Sequence, residues 1–329
     1  MNFQSNLQNS AIRIAGNLLS PRGNRSKLLI LTYHRVLADP DILTGENVDE
    51  KTFDWQVATL HKQFNILRLT DAIDLLKNGN LPERAVCITF DDGYADNYER
   101  ALPILKKWQV PATFFVAIGF LDGGRMWNDT VIESIRRAKC DELDLNNIGL
   151  GIHSLSSTIE RKKAIYSILR NIKYMPLEER NNTVNKLADI VGEELPDDMM
   201  MTTNQVHALG NQGMEIGAHT VNHPILASLS PDSAESEIVG SKQSLEEITG
   251  YEINAFAYPN GKPGVDYIRE NVDAVRRAGF RVSVSTAWGY ASNHSDVLQL
   301  PRVGSWDNSP FRFGIRMLSV YMSEREMIV

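Results

Sequence analysis

Short apolar runs of β-leaning residues recur along the chain, with helix-patterned stretches between most of them. Leu28–Tyr33, Asn65–Leu67, Val86–Phe90, Ala112–Ala117, Met214–Ala218, Ala255–Tyr258 and Arg281–Ser285 read as strands, and a shorter one falls at Leu298–Leu300. Several are continuously apolar rather than alternating, the pattern of strands buried on both faces. Between them, Asp96 to Trp108 reads as a helix that Pro103 should kink. Ser230-Pro231 reads as an N-cap and first helical residue, opening a helix that ends near Gly250. Gly264 to Ala278 reads as another helix, stopped at Gly279. This alternation predicts parallel β/α units. From about Asp122 to Met201 it lapses. Ser156–Asn171 and Pro176–Glu194 carry apolar residues at helical spacing, with little strand character around them. No Pro/Gly/Ser-rich linker brackets the region, so it reads as a helical insertion (about 122–201) within one domain, residues 28–329.

Residues 1–27 stand apart. Ala11, Ile12, Ile14, Ala15, Leu18 and Leu19 repeat at helical spacing beside Arg13, Arg22 and Arg25. The plain reading is a short helix packed on the domain; the alternative is a weak contact with a membrane surface. No run approaches the roughly 18 apolar residues of a spanning helix, and Met1–Ser10 lacks a signal-peptide core. A cytoplasmic location is the expectation, with the inner membrane face as the variant that goes with membrane contact by this amphipathic stretch.

Composition narrows the field. The 329 residues are 43% hydrophobic and 23% charged, ordinary for a globular protein and enough for one large barrel or two domains. With 34 Lys+Arg against 41 Asp+Glu, a net charge of -7 and no long basic run, nucleic acid is a disfavoured partner. Oligomeric state is left open. Cys87 and Cys140 form no CxxC, which excludes a disulfide framework and a thiolate zinc site.

Two segments carry chemistry. In Thr89-Phe90-Asp91-Asp92-Gly93 a buried-looking strand runs into adjacent carboxylates, an arrangement that needs a cation or a shared proton. Asp-Asp-Gly is also ordinary turn chemistry. In Ala218-His219-Thr220-Val221-Asn222-His223-Pro224, two histidines four apart can face one way on a helical turn. Two His and one carboxylate, with positions left for water, is a typical hydrolytic metal layout. In a parallel barrel the strand ends share the face where active sites form. Tyr33-His34, Tyr258-Pro259-Asn260, Trp288 and Pro301-Arg302 end strands on that face. Core packing is the competing reading for His34, Tyr258 and Trp288. Trp127, Asn128 and Asp129 open the insertion, where they either line a sugar site or cap a helix.

These motifs resemble the polysaccharide deacetylases of the NodB homology domain, carbohydrate esterase family 4. Thr-Phe-Asp-Asp-Gly at 89–93 matches the first motif, and His-Thr-Val-Asn-His-Pro at 219–224 matches the second. The resemblance spans about residues 28–304 without the insertion. It implies an α/β fold, a distorted (β/α)7-type barrel with a helical insertion. It implies Asp91 as catalytic base and Asp92, His219 and His223 as ligands of a divalent metal, Zn2+ first, with Co2+, Ni2+ or Fe2+ also compatible. Thr220 should steady the loop of the second motif by hydrogen bonding. The backbone N–H of Asn260, after Pro259, falls at the oxyanion position. The third motif is degenerate: Ala257 stands where the family has Arg, and Arg302 is the candidate substitute. The C-terminal Leu-x-His is missing, since the stretch reads Leu298-Gln299-Leu300-Pro301-Arg302. Tyr33-His34 resembles the early segment of a branch with rearranged motif order, so His34 is the expected general acid, with His294 its competitor. The implied reaction is hydrolysis of N-acetyl groups on an amino-sugar polysaccharide, oligosaccharide or glycolipid precursor. A related amidohydrolase acting on a non-sugar C–N bond and a non-catalytic carbohydrate-binding relative are the alternatives.

Overall fold

The computed structural model describes residues 3–45, 47–304, 307, 309–323 and 328–329. Seven parallel strands form a ring: β1 (Leu29–Tyr33), β2 (Ala85–Phe90), β3 (Thr113–Val116), β4 (Glu215–Ala218), β5 (Ala255–Ala257), β6 (Val282–Trp288) and β7 (Leu300–Gly304). Each pairs with the next, and β7 pairs with β1, which closes the barrel. A two-residue strand, Asn65–Ile66, pairs with the start of β2, on the edge whose far end is taken by β3. The last strand begins at Leu300, later than the sequence pattern placed it, because Asp296 captures the N–H groups of Leu298 and Gln299 in a turn. Pro301 is tolerated inside β7 because the β6–β7 register shifts there, and a bulge is one of the few sheet positions that accept proline.

The period-2 alternation of these strands divides the core. Ile30, Cys87, Phe115, Ala255, Ala257, Val284 and Leu300 point into the barrel and pack with one another. The lower end of this lumen is sealed by Leu69, Ala72, Ile73 and Leu76 of a helix, Leu69–Lys77. The opposite parity, with Leu31, Val86, Ile88, Phe90, Phe114, Ile216 and Phe256, faces outward. It is covered by helices that include Glu50–Gln63, Thr203–Asn211, Pro231–Thr249, Arg269–Arg277 and Pro310–Val320. The lumen mixes large residues, Ile30, Phe115 and Leu300, with small ones, Cys87, Ala255 and Ala257, so that they fit together in a narrow barrel.

Several helices match their sequence signals. The Ser230 hydroxyl accepts the Ser233 N–H, Pro231 follows at the first position, and Gly250 ends the helix at φ +77°. Others differ. The stretch after Asp96 starts as one wide turn, Asn97–Ala101, in which the Leu102 N–H reaches back to the Asn97 carbonyl. An α-helix, Leu102–Trp108, follows, with Pro103 in its first turn, where a missing N–H is harmless. The helix expected from Gly264 begins only at Arg269. Asp266 accepts the Lys262 N–H and the Gly264 N–H donates to the Tyr267 carbonyl, holding the intervening residues in a turn.

The lapse in alternation corresponds to helices Trp127–Arg137, Thr158–Ile172 and Leu177–Val191. They pack around Val131, Ile135, Ile165, Ile168 and Leu187, a cluster separate from the barrel core. This region also holds an antiparallel hairpin, Glu142–Asp144 with Ile152–Ser154, whose three-residue strands are too short to show periodicity. The N-terminal helix Phe3–Leu19 packs through Ile12, which is 2% exposed and abuts Gly314, while Ile14 and Leu18 are 63% and 79% exposed. No helix among the described residues is long and apolar enough to cross a membrane.

Gly217 occupies a lumen position on β4, where an added Cβ would lie 2.5 Å from Phe115 Cδ1 and 3.0 Å from the Ala255 carbonyl oxygen. Gly217→Ala is expected to lower stability by about 1–3 kcal/mol through overpacking, measurable by chemical denaturation.

Candidate active site

The lumen parity runs out of the barrel top into the motif residues. On β2 the inward series continues through Thr89 to Asp91, on β4 through Gly217 to His219, and on β7 through Leu300 to Arg302. These side chains therefore meet above the apolar lumen. Arg302, 2% exposed, donates from Nη1 to Asp91 Oδ1 and from Nη2 to Asp91 Oδ2, both at 2.7 Å. Its Nε donates to the Ser285 carbonyl at 2.9 Å. Arg302 thus supplies, from β7, the cation that the Ala257 motif lacks. Burial alone would raise the Asp91 carboxyl, but the Arg302 charge, the nearby His219 and the hydrogen bonds hold it below the usual carboxylate range.

Asp92 is turned away from Asp91 by a left-handed backbone, φ +76°. Its Oδ1 lies 3.5 Å from His219 Nε2 and 3.4 Å from His223 Nε2. Donors around an ion with bonds of about 2.0–2.1 Å in tetrahedral geometry are about 3.3 Å apart, so the three side chains fit a divalent metal. Their ligand atoms all lie within 4.8 Å of one another. His219 Nδ1 is engaged at 2.8 Å by the Ala257 carbonyl, which leaves Nε2 for the ion. His223 Nδ1 is buried with no partner. Burial opposes the charged form of both rings. In His219 it is outweighed by Asp92 and Asp91, so that ring is raised; in His223 it wins and brings the ring down to about 3, the neutral form that binds metal.

The two histidines converge by a route other than a helical turn. Thr220 and His223 have φ +64° and +49°, unusual for any residue and more so for a β-branched one. The Thr220 hydroxyl donates to the His219 carbonyl at 2.5 Å and accepts the His223 N–H at 3.1 Å, pinning the loop. Asn260, at φ +59°, completes the set of strained residues at this mouth. Its backbone N–H meets no acceptor among the described residues, and its Nδ2 is buried and unpartnered.

These groups form the floor of a cleft of about 1290 Å³. His34, Asp91, Asp92, His219, His223 and Asn260 line it, as do Trp127, Asn128 and Asp129 of the insertion. His34 is exposed at the end of β1, its carbonyl held by Asn97 Nδ2, and its charge reaches both Asp91 and Asp92. His294 is exposed in the β6–β7 loop and is not among the lining residues. Arg302 meets the cleft only through Asp91, and three other expected site residues fall outside it. Tyr258 is fully buried, stacked on Tyr267 at 3.9 Å, with its hydroxyl donating to the Leu298 carbonyl, so it is a core residue. Pro259 is buried and acts through the turn it sets for Asn260, its carbonyl accepting the Gly261 N–H. Trp288 is 40% exposed and is not among the residues that line the cleft.

The sequence motifs missed one network. Asp129, 3% exposed, accepts the Tyr94 hydroxyl at 2.9 Å; the Arg35 guanidinium lies 4.7 Å from the Tyr94 ring centre and pairs with Asp96 at 2.8 Å. Only an acidic residue beside Trp127 signalled it. Burial, helped by the charges of Asp92 and Glu133, outweighs Arg35 and Tyr94 and raises Asp129 to about 7.

A sequence model of the polysaccharide deacetylase family matches residues 78–283, well over half of the chain. The chain belongs to this family. Its relatives include the Bacillus subtilis protein named "Putative polysaccharide deacetylase YxkH", 23% identical over 280 residues that cover 84% of this chain and 71% of the relative. A poly-beta-1,6-N-acetyl-D-glucosamine N-deacetylase of Staphylococcus aureus is 33% identical over 104 residues, 28% of this chain and 36% of that one. Among solved structures, the Streptococcus pyogenes deacetylase PplD in complex with acetate superposes with a TM-score of 0.60 at 23% identity, covering 89% of this chain and 98% of PplD. The shared architecture is the polysaccharide deacetylase barrel.

An Asp129 carboxyl loses its proton near pH 3.9 when unfolded and near 7 when folded. Between those values the folded state holds the extra proton, so this contribution is full below about pH 4 and is lost as pH rises through 7. Asp129→Asn is therefore expected to raise stability more at pH 7.5 than at pH 4.5 and to flatten the slope between them in denaturation curves.

Proposed function

We propose that the protein is a metal-dependent hydrolase that removes N-acetyl groups from an amino-sugar glycan. The observation that carries this reading is the Asp91–Arg302 pair set directly beside the Asp92, His219 and His223 triad on the floor of one cleft. The S. aureus relative, whose name specifies an N-acetylated glucosamine polymer, supports an N-acetylhexosamine as the reacting unit.

A divalent ion held by Asp92, His219 and His223 supplies Lewis acidity toward an amide carbonyl and toward water. Its donor set of two imidazoles and one carboxylate suits zinc, with cobalt, nickel and iron also compatible. Asp91 is ionised and fixed in orientation by Arg302. Each of its oxygens retains a second lone pair after the Arg302 contacts, so it takes the proton of the attacking water. The free N–H of Asn260 donates to the oxygen that gains charge as the carbonyl is attacked. His34, at the open side of the same floor, gives a proton to the departing amine. Trp127 offers a sugar ring an apolar wall.

Acetate release from N-acetylated oligosaccharides, with and without chelator, tests the reading. Asp91→Asn is expected to keep its metal and lose about 10²–10⁴ in turnover; near-native activity would remove Asp91 as the base. Asp92→Ala and His219→Ala are expected to lose metal, read by elemental analysis. His34→Gln is expected to slow turnover by about 10² or more, whereas His294→Gln, outside the cleft, should match the parent.

A further inference from the structure

Six carboxylates among the described residues line the cleft, and five of them are provided for. Asp91 pairs with Arg302, Asp41 and Glu133 pair with Arg136, Asp92 faces the two histidines, and Asp39 is exposed to water. Asp129 is the exception. It is buried, forms no ion pair among the described residues, and accepts one hydrogen bond, from the Tyr94 hydroxyl to Oδ2. Arg35, the cation whose charge it feels, is committed to Asp96. Asp129 Oδ1 has no partner among the described residues, and the residue lines the cleft. Leaving a carboxyl oxygen so placed without a partner is costly.

A carboxylate three residues into a helix ordinarily serves the helix, by accepting a free N–H or by opposing the dipole. Asp129 holds that place in Trp127–Arg137 yet accepts no backbone N–H among the described residues. Its neighbour Asn128 also lines the cleft, with a side-chain oxygen that is buried and unpartnered. The first turn of this helix therefore brings an indole, an amide and a carboxyl to the cleft in succession, and spends neither polar group on itself.

The carboxyl is also fixed relative to the triad. Tyr94 lies two residues after Asp92, is 3% exposed, and is held by Arg35 over its ring and by a backbone bridge to Met200. Its hydrogen bond ties the insertion to the loop of the first motif, and the Asp92 charge is felt at Asp129. That coupling puts Asp129 beside the sugar that reacts rather than at the outer end of the cleft. Because Oδ2 already takes the Tyr94 proton, Oδ1 is the oxygen that accepts when the carboxyl is ionised and donates when it is not. A hydroxyl answers both roles, whereas an amide N–H or a carbonyl answers only one.

We propose that Asp129 determines specificity for the substrate, its Oδ1 hydrogen-bonding a ring hydroxyl of the reacting amino sugar while Trp127 carries the sugar's apolar face. This rests on the deacetylase reading and specifies how that site recognises its substrate.

The test crosses protein variants with substrate analogues on the metal-loaded protein. N-acetylglucosamine oligosaccharides of the 1,4- and 1,6-linked series are used intact and with the free 3-, 4- or 6-hydroxyl removed in turn. Acetate release and calorimetric binding are both read. The parent is expected to lose about tenfold or more in KM on one deoxy analogue, the scale of a hydrogen bond to a charged group, with kcat little changed. Asp129→Ala is expected to show that same loss on the intact substrate and no further loss on that analogue, the non-additivity of two groups in contact. Asp129→Asn keeps an oxygen and a donor in place and is expected to recover most of the affinity. Tyr94→Phe frees the carboxyl without removing it and is expected to lose part. Parent indifference to every deoxy analogue, or a loss in Asp129→Ala that adds to the analogue's own, would overturn the subsite while leaving deacetylation standing. An equal loss on every substrate in Asp129→Ala, with a lower melting temperature, marks a structural role and also overturns it. Acetate released from no oligosaccharide would remove the deacetylase reading; the subsite then stands if the binding cycle is non-additive and falls if it is additive.

Discussion

Two adjacent carboxylates stand at the mouth of a closed apolar barrel, and the buried pair between Asp91 and Arg302 makes that arrangement tolerable. Arg302 neutralises Asp91 through two parallel hydrogen bonds and leaves Asp92 to be matched by the histidines. Withdrawing one partner from such a pair leaves an uncompensated charge in the barrel, a loss of about 3–5 kcal/mol. The pair also joins β2 to β7, strands separated by β1 in the ring, so the site and the closure of the barrel are held by the same contact.

Backbone strain accompanies the charge. Asp92, Thr220, His223 and Asn260 all take left-handed conformations, and all four belong to the loops that follow lumen strands. Each is held by neighbours: Thr220 by its own hydroxyl bonds, Asn260 by the Thr286 hydroxyl on its carbonyl. A regular helical turn after β4 would not need such backbone at Thr220 and His223. Here the turn folds back so that both Nε2 atoms approach one carboxylate oxygen. Strain of this kind persists where surrounding structure over-determines the conformation.

The insertion adds what the barrel lacks. The barrel top provides the triad, Asp91 and Asn260, while the insertion walls the cleft with Trp127, Asp129 and Tyr166. Its separate apolar cluster lets this wall vary in chemistry without disturbing the lumen. The floor and this wall of the cleft are thus packed around different cores.

Much of the fold and of the floor was legible in the chain alone. Continuous apolar runs announced doubly buried parallel strands, and carboxylate and histidine motifs at their ends announced a candidate metal site, because period-2 burial and donor chemistry are local properties. Arg302 could be named as a candidate for the missing motif arginine because it too ends a strand. Its partner could not be known, since Asp91 lies 211 positions away and only ring closure brings β7 and β2 to the same lumen. Tyr258 shared the strand-end signal with the floor residues and fell outside, because its parity is opposite to that of Ala255 and Ala257 and puts it in the outer core. Asp129 carries no motif at all. Its raised carboxyl comes from burial beside Tyr94, and burial is decided only when the helices of the insertion close over the barrel.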